Sequence, residues 1–315
     1  MNTINEFEGK ILITGASGFV GKNIARTLFE NNSQVVIHKN VREISEDLQN
    51  KSIKIIHGNL ENSTFWNEVL TEVDTIIHCA AITPNQQVQK KININYDQNV
   101  DIVKTIAHSL VSKKFGLKKF IYISTSNFYK NGLGISSEQA AFAPVRDVDY
   151  FRSKFESEKI LLGLEERKKI ELTILRISTP FGPGETMNKV IPTFLSNSAS
   201  GRNINILDNG KAKYNFISVF DVASVVYKCT LFRYPGIYNL GGHKSTSIIE
   251  LAKEVMKLFP LSNSKIEFVS KEGFFDYGFS EIDITKLKNF LNFNPKSLRF
   301  GLYDYANFLR LDPNL

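Results

Sequence analysis

Two cysteines in 315 residues, Cys79 and Cys229, stand far apart in apolar segments, which excludes a disulfide framework and predicts a reduced, cytoplasmic protein. Histidine is scarce as well. His38, His57, His78, His108 and His243 show none of the close spacings of a metal site, so no metal is expected. No apolar run approaches the ~18–20 residues of a membrane span, and residues 1–9 are acidic and polar rather than signal-like. Repeats and low-complexity linkers are lacking too. Acidic residues are the rarer charge, 32 against 39 Lys and Arg, for a formal net charge of +7. The cations are scattered, however, and the densest cluster, Arg167-Lys168-Lys169, falls at an expected helix end, where cations suit the dipole. Neither nucleic acid nor membrane is an expected partner. The single tryptophan, Trp66, and the phenylalanines follow helix and strand patterns and read as core, as does His78 at the end of an apolar strand.

What is present starts with residues 10–21. Ile11, Leu12 and Ile13 form the short apolar run of a buried parallel strand, Gly15, Gly18 and Gly21 follow, and 19–29 has helical periodicity. A strand, a glycine turn and a helix in that order form a site for a dinucleotide pyrophosphate. Gly15 permits the tight turn, Gly18 close approach to phosphate, and Gly21 close helix packing. The helix N-terminus offers unpaired N–H groups to the anion.

Further strands are expected at 34–38, 53–57, 74–80, 119–124 and 172–177, with helices at 41–48, 63–70, 93–113 and 150–167 between them. This alternation predicts an α/β fold, a Rossmann-like doubly wound parallel sheet that binds ligand outside the carboxyl ends of its strands. After the turn-rich 179–184 the alternation weakens. Helices at 188–198, 222–232, 247–259, 285–291 and 298–309 and extended stretches at 204–207, 216–219 and 236–240 are expected. The predicted domains are residues 1–177, which bind the dinucleotide, and a smaller substrate domain of residues 178–315 forming the far wall of a cleft, with some segments free to return to the first.

Tyr150 and Lys154 are four apart, so both project from one helix face. A phenol with an ordinary pKa of about 10 is a poor base near neutrality. A neighbouring ammonium and an oxidised nicotinamide both favour the phenolate. Thr125 ends the fifth strand, where its hydroxyl can hydrogen-bond a substrate oxygen beside Tyr150.

With these residues in place the chain resembles the extended short-chain dehydrogenase/reductase family, in its epimerase/dehydratase branch. The resemblance runs through Gly15-x-x-Gly18-x-x-Gly21, Gly58-Asn59-Leu60, His78-Cys79-Ala80-Ala81, Asn95, Ser124-Thr125 and Tyr129. It continues through Tyr150-x-x-x-Lys154, Pro180-Phe181-Gly182-Pro183-Gly184, Phe216-Ile217-Ser218-Val219, Asp221-Val222 and Tyr238-Asn239-Leu240-Gly241. It implies that Tyr150 is the acid/base, that Thr125 hydrogen-bonds the reacting oxygen, and that Lys154 holds the nicotinamide ribose and tunes Tyr150. On the cofactor side it places Gly15, Ser17, Gly18, Phe19, Val20, Gly21, Lys39, Arg42, Asn59, Leu60, Ala80, Ala81, Asn95 and Ser124. On the substrate side it places Thr125, Ser126, Thr179, Lys189 and Tyr214. The family moves a hydride between nicotinamide and a sugar carbon, usually on a nucleotide-linked sugar. A homodimer through the 93–113 and 150–167 helices is implied as well.

Departures from the family pattern narrow the expectation. Lys39 stands where NAD-dependent members carry an acidic residue for the ribose hydroxyls, with Arg42 three residues on, which favours NADP(H) and leaves NAD(H) as the alternative. Asn59 replaces an aspartate near the adenine. Thr125 is followed by Ser126-Asn127, where the 4,6-dehydratases have an acidic pair for eliminating water. Thr179 replaces a common asparagine, and Tyr214 an arginine that grips the diphosphate. The usual Arg-Pro-Gly-Asp segment is not recognisable in 271–280, leaving Lys189, Arg202, Lys211 and Lys213 as available cations or plain surface residues. The expectation is an NADPH-dependent reductase of a nucleotide-linked 4-keto-6-deoxy sugar. The alternatives are an NAD-retaining sugar epimerase, an enzyme of a non-sugar ketone, and a cofactor-sensing protein without turnover. The intact Tyr150, Lys154 and Thr125 speak against the sensor.

Overall fold

The computed structural model describes residues 9–40, 42–49, 53–84, 96–112, 115–129, 134–143, 148–168, 170–270, 278–279 and 281–314. In chain order the first elements are β1 (Ile11–Thr14), α1 (Phe19–Glu30), β2 (Val35–Lys39), α2 (Glu46–Gln49), β3 (Lys54–His57), α3 (Ser63–Val69), β4 (Thr75–His78), α4 (Asp97–Ser112) and β5 (Lys119–Thr125). Then come β6 (Ile135–Ser136), α5 (Val148–Lys168), β7 (Glu171–Ile177), β8 (Thr179–Phe181), α6 (Val190–Ala199), β9 (Ile204–Leu207), β10 (Lys213–Tyr214) and β11 (Phe216–Ser218). The chain ends with α7 (Val219–Leu231), β12 (Gly236–Leu240), β13 (Thr246–Ser247), α8 (Ile248–Lys257), β14 (Ile266–Val269), β15 (Glu281–Ile282), α9 (Thr285–Leu291) and α10 (Leu298–Phe308).

The chain forms two compact units. The first comprises residues 1–128, 146–176 and 223–238, and the second residues 129–145, 177–222 and 239–315. The first unit is built on a seven-stranded sheet in the order β3-β2-β1-β4-β5-β7-β12, with parallel registers from β3 through β5. The order reverses between β1 and β4, which makes the carboxyl ends of those two strands the switch point where such sheets take their ligand.

β1, β4, β5 and β7 are buried along their whole length, which is why they read as continuous apolar runs rather than alternating ones. The charged residues in β5 and β7 are paired, as buried charges must be. Lys119 Nζ donates to the carbonyls of Cys229, Thr230 and Phe232 at 3.2, 3.0 and 2.6 Å, closing the C-terminal end of α7. Glu171 accepts the Tyr234 N–H at 2.9 Å, and Arg176 forks onto Glu158. Trp66, fully buried, donates its indole N–H to the Leu60 carbonyl at 2.7 Å and anchors a core with Leu12, Ile76, Phe120 and Tyr122.

The second unit packs Phe181, Phe194, Leu195, Leu251, Val255 and Leu302 into its own core. Ser247 and Glu250 form a reciprocal capping box that starts α8.

Three expected elements are corrected. Residues 41–48 do not form one helix: only Glu46–Gln49 is helical, with acidic Glu46 and Asp47 at its positive end, while Arg42 lies in a bend and Glu43 turns to Lys39. The strand at 74–80 stops at His78, because the Ala80 N–H leaves the ladder for the Thr14 hydroxyl at 3.3 Å. The helix at 222–232 begins at Val219, directly after β11, so the extended stretch 216–219 ends one residue early.

Candidate active site

The glycine turn fits a dinucleotide cradle on its own geometry. Gly15 has φ +75, and a Cβ there would lie 2.6 Å from the Ala80 nitrogen, so only glycine lets β1 turn against the end of β4. A Cβ on Gly21 would meet the Gly15 carbonyl oxygen at 2.4 Å. Gly18 begins α1 with no side-chain cap and no acidic residue in the first turn, which leaves the N–H groups of Phe19, Val20 and Gly21 directed at an incoming anion. Ser17 lies half-buried in the turn itself.

Behind the cradle, Thr14 and His78 are hydrogen-bonded at 2.8 Å, and the imidazole stacks on Tyr122 with centroids 5.9 Å apart. Complete burial, then the charge of Lys154, drives His78 down to about 3, so it stays neutral and packs, as the sequence pattern implies. Ala80 and Ala81 follow β4 half-buried. Next to them Ile82 exchanges two hydrogen bonds with Asn99 of α4, at 2.7 and 3.0 Å, and Asn99 also donates to Ser153 of α5 at 3.1 Å. Asn95 lies outside the described residues. Asn99 of α4 was not singled out in the sequence, although a buried amide on the core face of an amphipathic helix is the signal that would have found it.

Lys154 is completely buried. Its Nζ donates to the Ile123 carbonyl of β5 at 2.9 Å and lies 4.8 Å from the centre of the Tyr122 ring. Desolvation lowers its pKa to about 8 against the opposing influence of Cys79 and Glu158. Tyr150, one turn earlier, is half-buried, and its ring stands edge-on to Tyr96 at 5.8 Å. Thr125 closes β5, its hydroxyl oxygen accepting the Asn127 N–H at 3.1 Å. Two bonds of α5 backbone and side chains, Ser153 to the Tyr150 carbonyl at 2.7 Å and Ser157 to the Ser153 carbonyl at 2.8 Å, stiffen the turn that carries the pair.

The Ser124 hydroxyl donates to Glu158. Glu158 is 1% exposed and takes the Arg176 guanidinium through both oxygens, with Nη2 at 2.6 Å. This network locks α5 to β5 and β7 directly behind Lys154. Glu158 was missed in the sequence, although it stands four residues after Lys154 on the same helix face.

Lys39 is not as expected. Its Nζ is held by both carboxylate oxygens of Glu43, at 2.6 and 2.5 Å, so the ammonium at the end of β2 is already paired. Arg42 is exposed nearby. Exposed Asn59 uses its side-chain oxygen to accept the Glu61 N–H at 3.0 Å, while the Leu60 side chain is core.

In the second unit, Tyr214 packs into an aromatic cluster, 5.8 Å from Phe216 and 5.5 Å from Phe279. Thr179 is half-buried, and its hydroxyl has no hydrogen-bond partner among the described residues. Lys189 is exposed at the start of α6. Glu185, between them, is pushed up to about 7 by burial, against the pull of Lys189 and the Gly182 backbone. Among the described residues, no group of three His, Cys, Asp or Glu could hold a metal ion, and no helix is long and apolar enough to cross a membrane.

A turn shaped for a dinucleotide, with tyrosine and lysine on the helix behind the next strands, is the arrangement of a short-chain dehydrogenase/reductase. The model of the NAD dependent epimerase/dehydratase family matches residues 11–241. A dTDP-D-glucose 4,6-dehydratase of Mus musculus is 28% identical over 289 residues, 86% of this chain and 78% of the relative. A dTDP-4-dehydro-6-deoxy-D-allose reductase of a Streptomyces species is 24% identical over 329 residues, 98% of this chain and 99% of the relative. The UDP-glucuronic acid 4-epimerase of Bacillus cereus, solved with UDP-glucuronic acid and NAD, shares the fold with a TM-score of 0.82 at 23% identity, covering 96% of this chain and 99% of that one. The chain belongs to the NAD-dependent epimerase/dehydratase family, the extended branch of the short-chain dehydrogenases/reductases, and is an enzyme of that type.

Proposed function

We propose that the protein is a nicotinamide-dependent reductase of a nucleotide-linked 4-keto-6-deoxy sugar. The observation that carries this reading is the end of β5, where Thr125 closes the strand to which Lys154 of α5 donates and is followed by Ser126 and Asn127 rather than by carboxylates. Eliminating water needs an acid and a base placed at the sugar, and neither residue can ionise to supply one. The dehydratase activity named for the mouse relative therefore does not carry over. The bound nicotinamide supplies the hydride. Tyr150 donates the proton to the keto oxygen, and Thr125 holds that oxygen by a hydrogen bond. The Lys154 ammonium holds the ribose and favours the phenolate that Tyr150 leaves behind. Ser126, Thr179, Lys189 and Tyr214 are assigned to the substrate in the same reading.

The Lys39–Glu43 pair favours one second reading, an epimerase that keeps its NAD and re-reduces the same sugar carbon. Incubating the enzyme with a dTDP-linked 4-keto-6-deoxyhexose separates the two. Stoichiometric consumption of added reduced nicotinamide means a reductase, and interconversion without consumption means an epimerase. In either case Tyr150→Phe is expected to lower turnover by about 10²–10⁴-fold while dinucleotide binding persists. Full turnover in that variant would remove Tyr150 from the chemistry.

A further inference from the structure

We propose that Glu43 selects the cofactor: by holding Lys39 it turns the end of β2 away from a 2′-phosphate and towards the free ribose hydroxyls of NAD(H). The inference rests on the reading of the chain as a nicotinamide enzyme and adds to it the identity of the discriminating residue.

β1 and β2 run parallel, with Ile13 paired to Ile37, so Lys39 closes β2 on the same carboxyl side of the sheet from which the glycine turn leaves β1. The Lys39 side chain is only 20% exposed, while Glu43 is 73% exposed. The lysine is therefore the fixed member, and the carboxylate closes over it from solvent with both oxygens in hydrogen-bond range. The neighbouring cation of α1, Arg26, is held in the same manner by Asp47. Residues 43–47 thus bring Glu43, Glu46 and Asp47 to a turn whose lysine, read alone, suggests a phosphate site.

A phosphate that approached Lys39 would have to displace Glu43 and then remain beside it, two anions sharing one ammonium. A ribose diol meets no such conflict. Its hydroxyls donate to the carboxylate that Lys39 already holds in place, a charge-assisted bond of the stronger kind. The ion pair itself is half in solvent and contributes little to folding, so removing the carboxylate changes the site without endangering the fold.

The test is fluorescence titration of the purified full chain with NADH and with NADPH, in wild type, Glu43→Gln and Glu43→Gln/Lys39→Ala. Wild type is expected to bind NADH more tightly. Glu43→Gln is expected to move the NADPH:NADH affinity ratio by about tenfold towards NADPH, 1.4 kcal/mol, and the double variant to lose that gain. Both cofactors binding with a ratio that Glu43→Gln leaves unchanged, or a wild-type preference for NADPH, would overturn the selector role alone. Binding of neither cofactor would overturn the nicotinamide reading with it.

Discussion

Lys154 shows most directly what burial does to the lysine proposed to serve the acid/base. With its ammonium removed from water, the balance of desolvation against Glu158 leaves a pKa of about 8, well under the ordinary 10.5. Below that pH the charge to which the proposed mechanism assigns the ribose and the Tyr150 phenolate is present in the free enzyme; above it the charge is lost. kcat/KM, which reports groups of the free enzyme, is therefore expected to fall as pH rises through about 8. Lys154→Met should be slower throughout and lack that limb. A profile flat to pH 10 in wild type would mean that Lys154 keeps its proton and that the burial argument fails. Most of the residues around it were legible one at a time. Gly15 and Gly21 each answer a local backbone demand, and Tyr150 and Lys154 declare themselves by a spacing of four. Lys39 was not legible in the same way. Its meaning changes with a carboxylate that is also four residues away but across a bend, in a segment whose composition suggested a helix.

At the scale of elements, the seven strands of the large sheet were readable to within two residues at each end, four of them because complete burial leaves little but apolar side chains, whereas β8 fell in a stretch read as turn-rich and β14 was not expected. The neighbours of each strand in the sheet were not readable, since pairing depends on residues remote in sequence. β12 was visible as a strand, but nothing local assigns it the outer place beside β7. Lys119 shows how such a place is secured. It stands at the start of β5, and its ammonium donates to three carbonyls at least 110 positions later, at the end of α7, with the buried Glu171 carboxylate 3.8 Å away. Lys119→Met keeps the volume and removes those donors, leaving carbonyls buried without partners. The expected loss is about 3 kcal/mol, read as a lowered denaturant midpoint with an unchanged slope. An unchanged midpoint would show that water replaces the ammonium at no cost.

For the whole molecule, stability and pH are linked through groups such as Glu185 in the second unit. Its carboxyl is raised from 4.5 to about 7 by burial, so the folded chain holds a proton that the unfolded chain has already lost between those values. Stability is therefore greatest below pH 4.5 as far as this group is concerned, and declines as pH rises towards 7, by on the order of 3 kcal/mol in total. Glu185→Gln should remove that decline, so that variant and wild-type melting temperatures converge at low pH and separate with the variant higher at pH 8. Parallel curves would show that Glu185 is solvated when charged.

The seven-stranded sheet has a further consequence, for the order in which the chain can be made. Six of its strands lie before residue 178, and the seventh, with the helix whose end Lys119 closes, follows some 50 positions later. A nascent chain emerging from the ribosome thus exposes the outer edge of β7 and a buried-type lysine with no carbonyls to meet, while all the residues of the second unit between 177 and 222 are still being added. The first unit cannot be completed before nearly half of the second has been synthesised. A product released between residues 178 and 235 would carry the full glycine turn, Tyr150 and Lys154, yet present an unpaired strand edge to other chains.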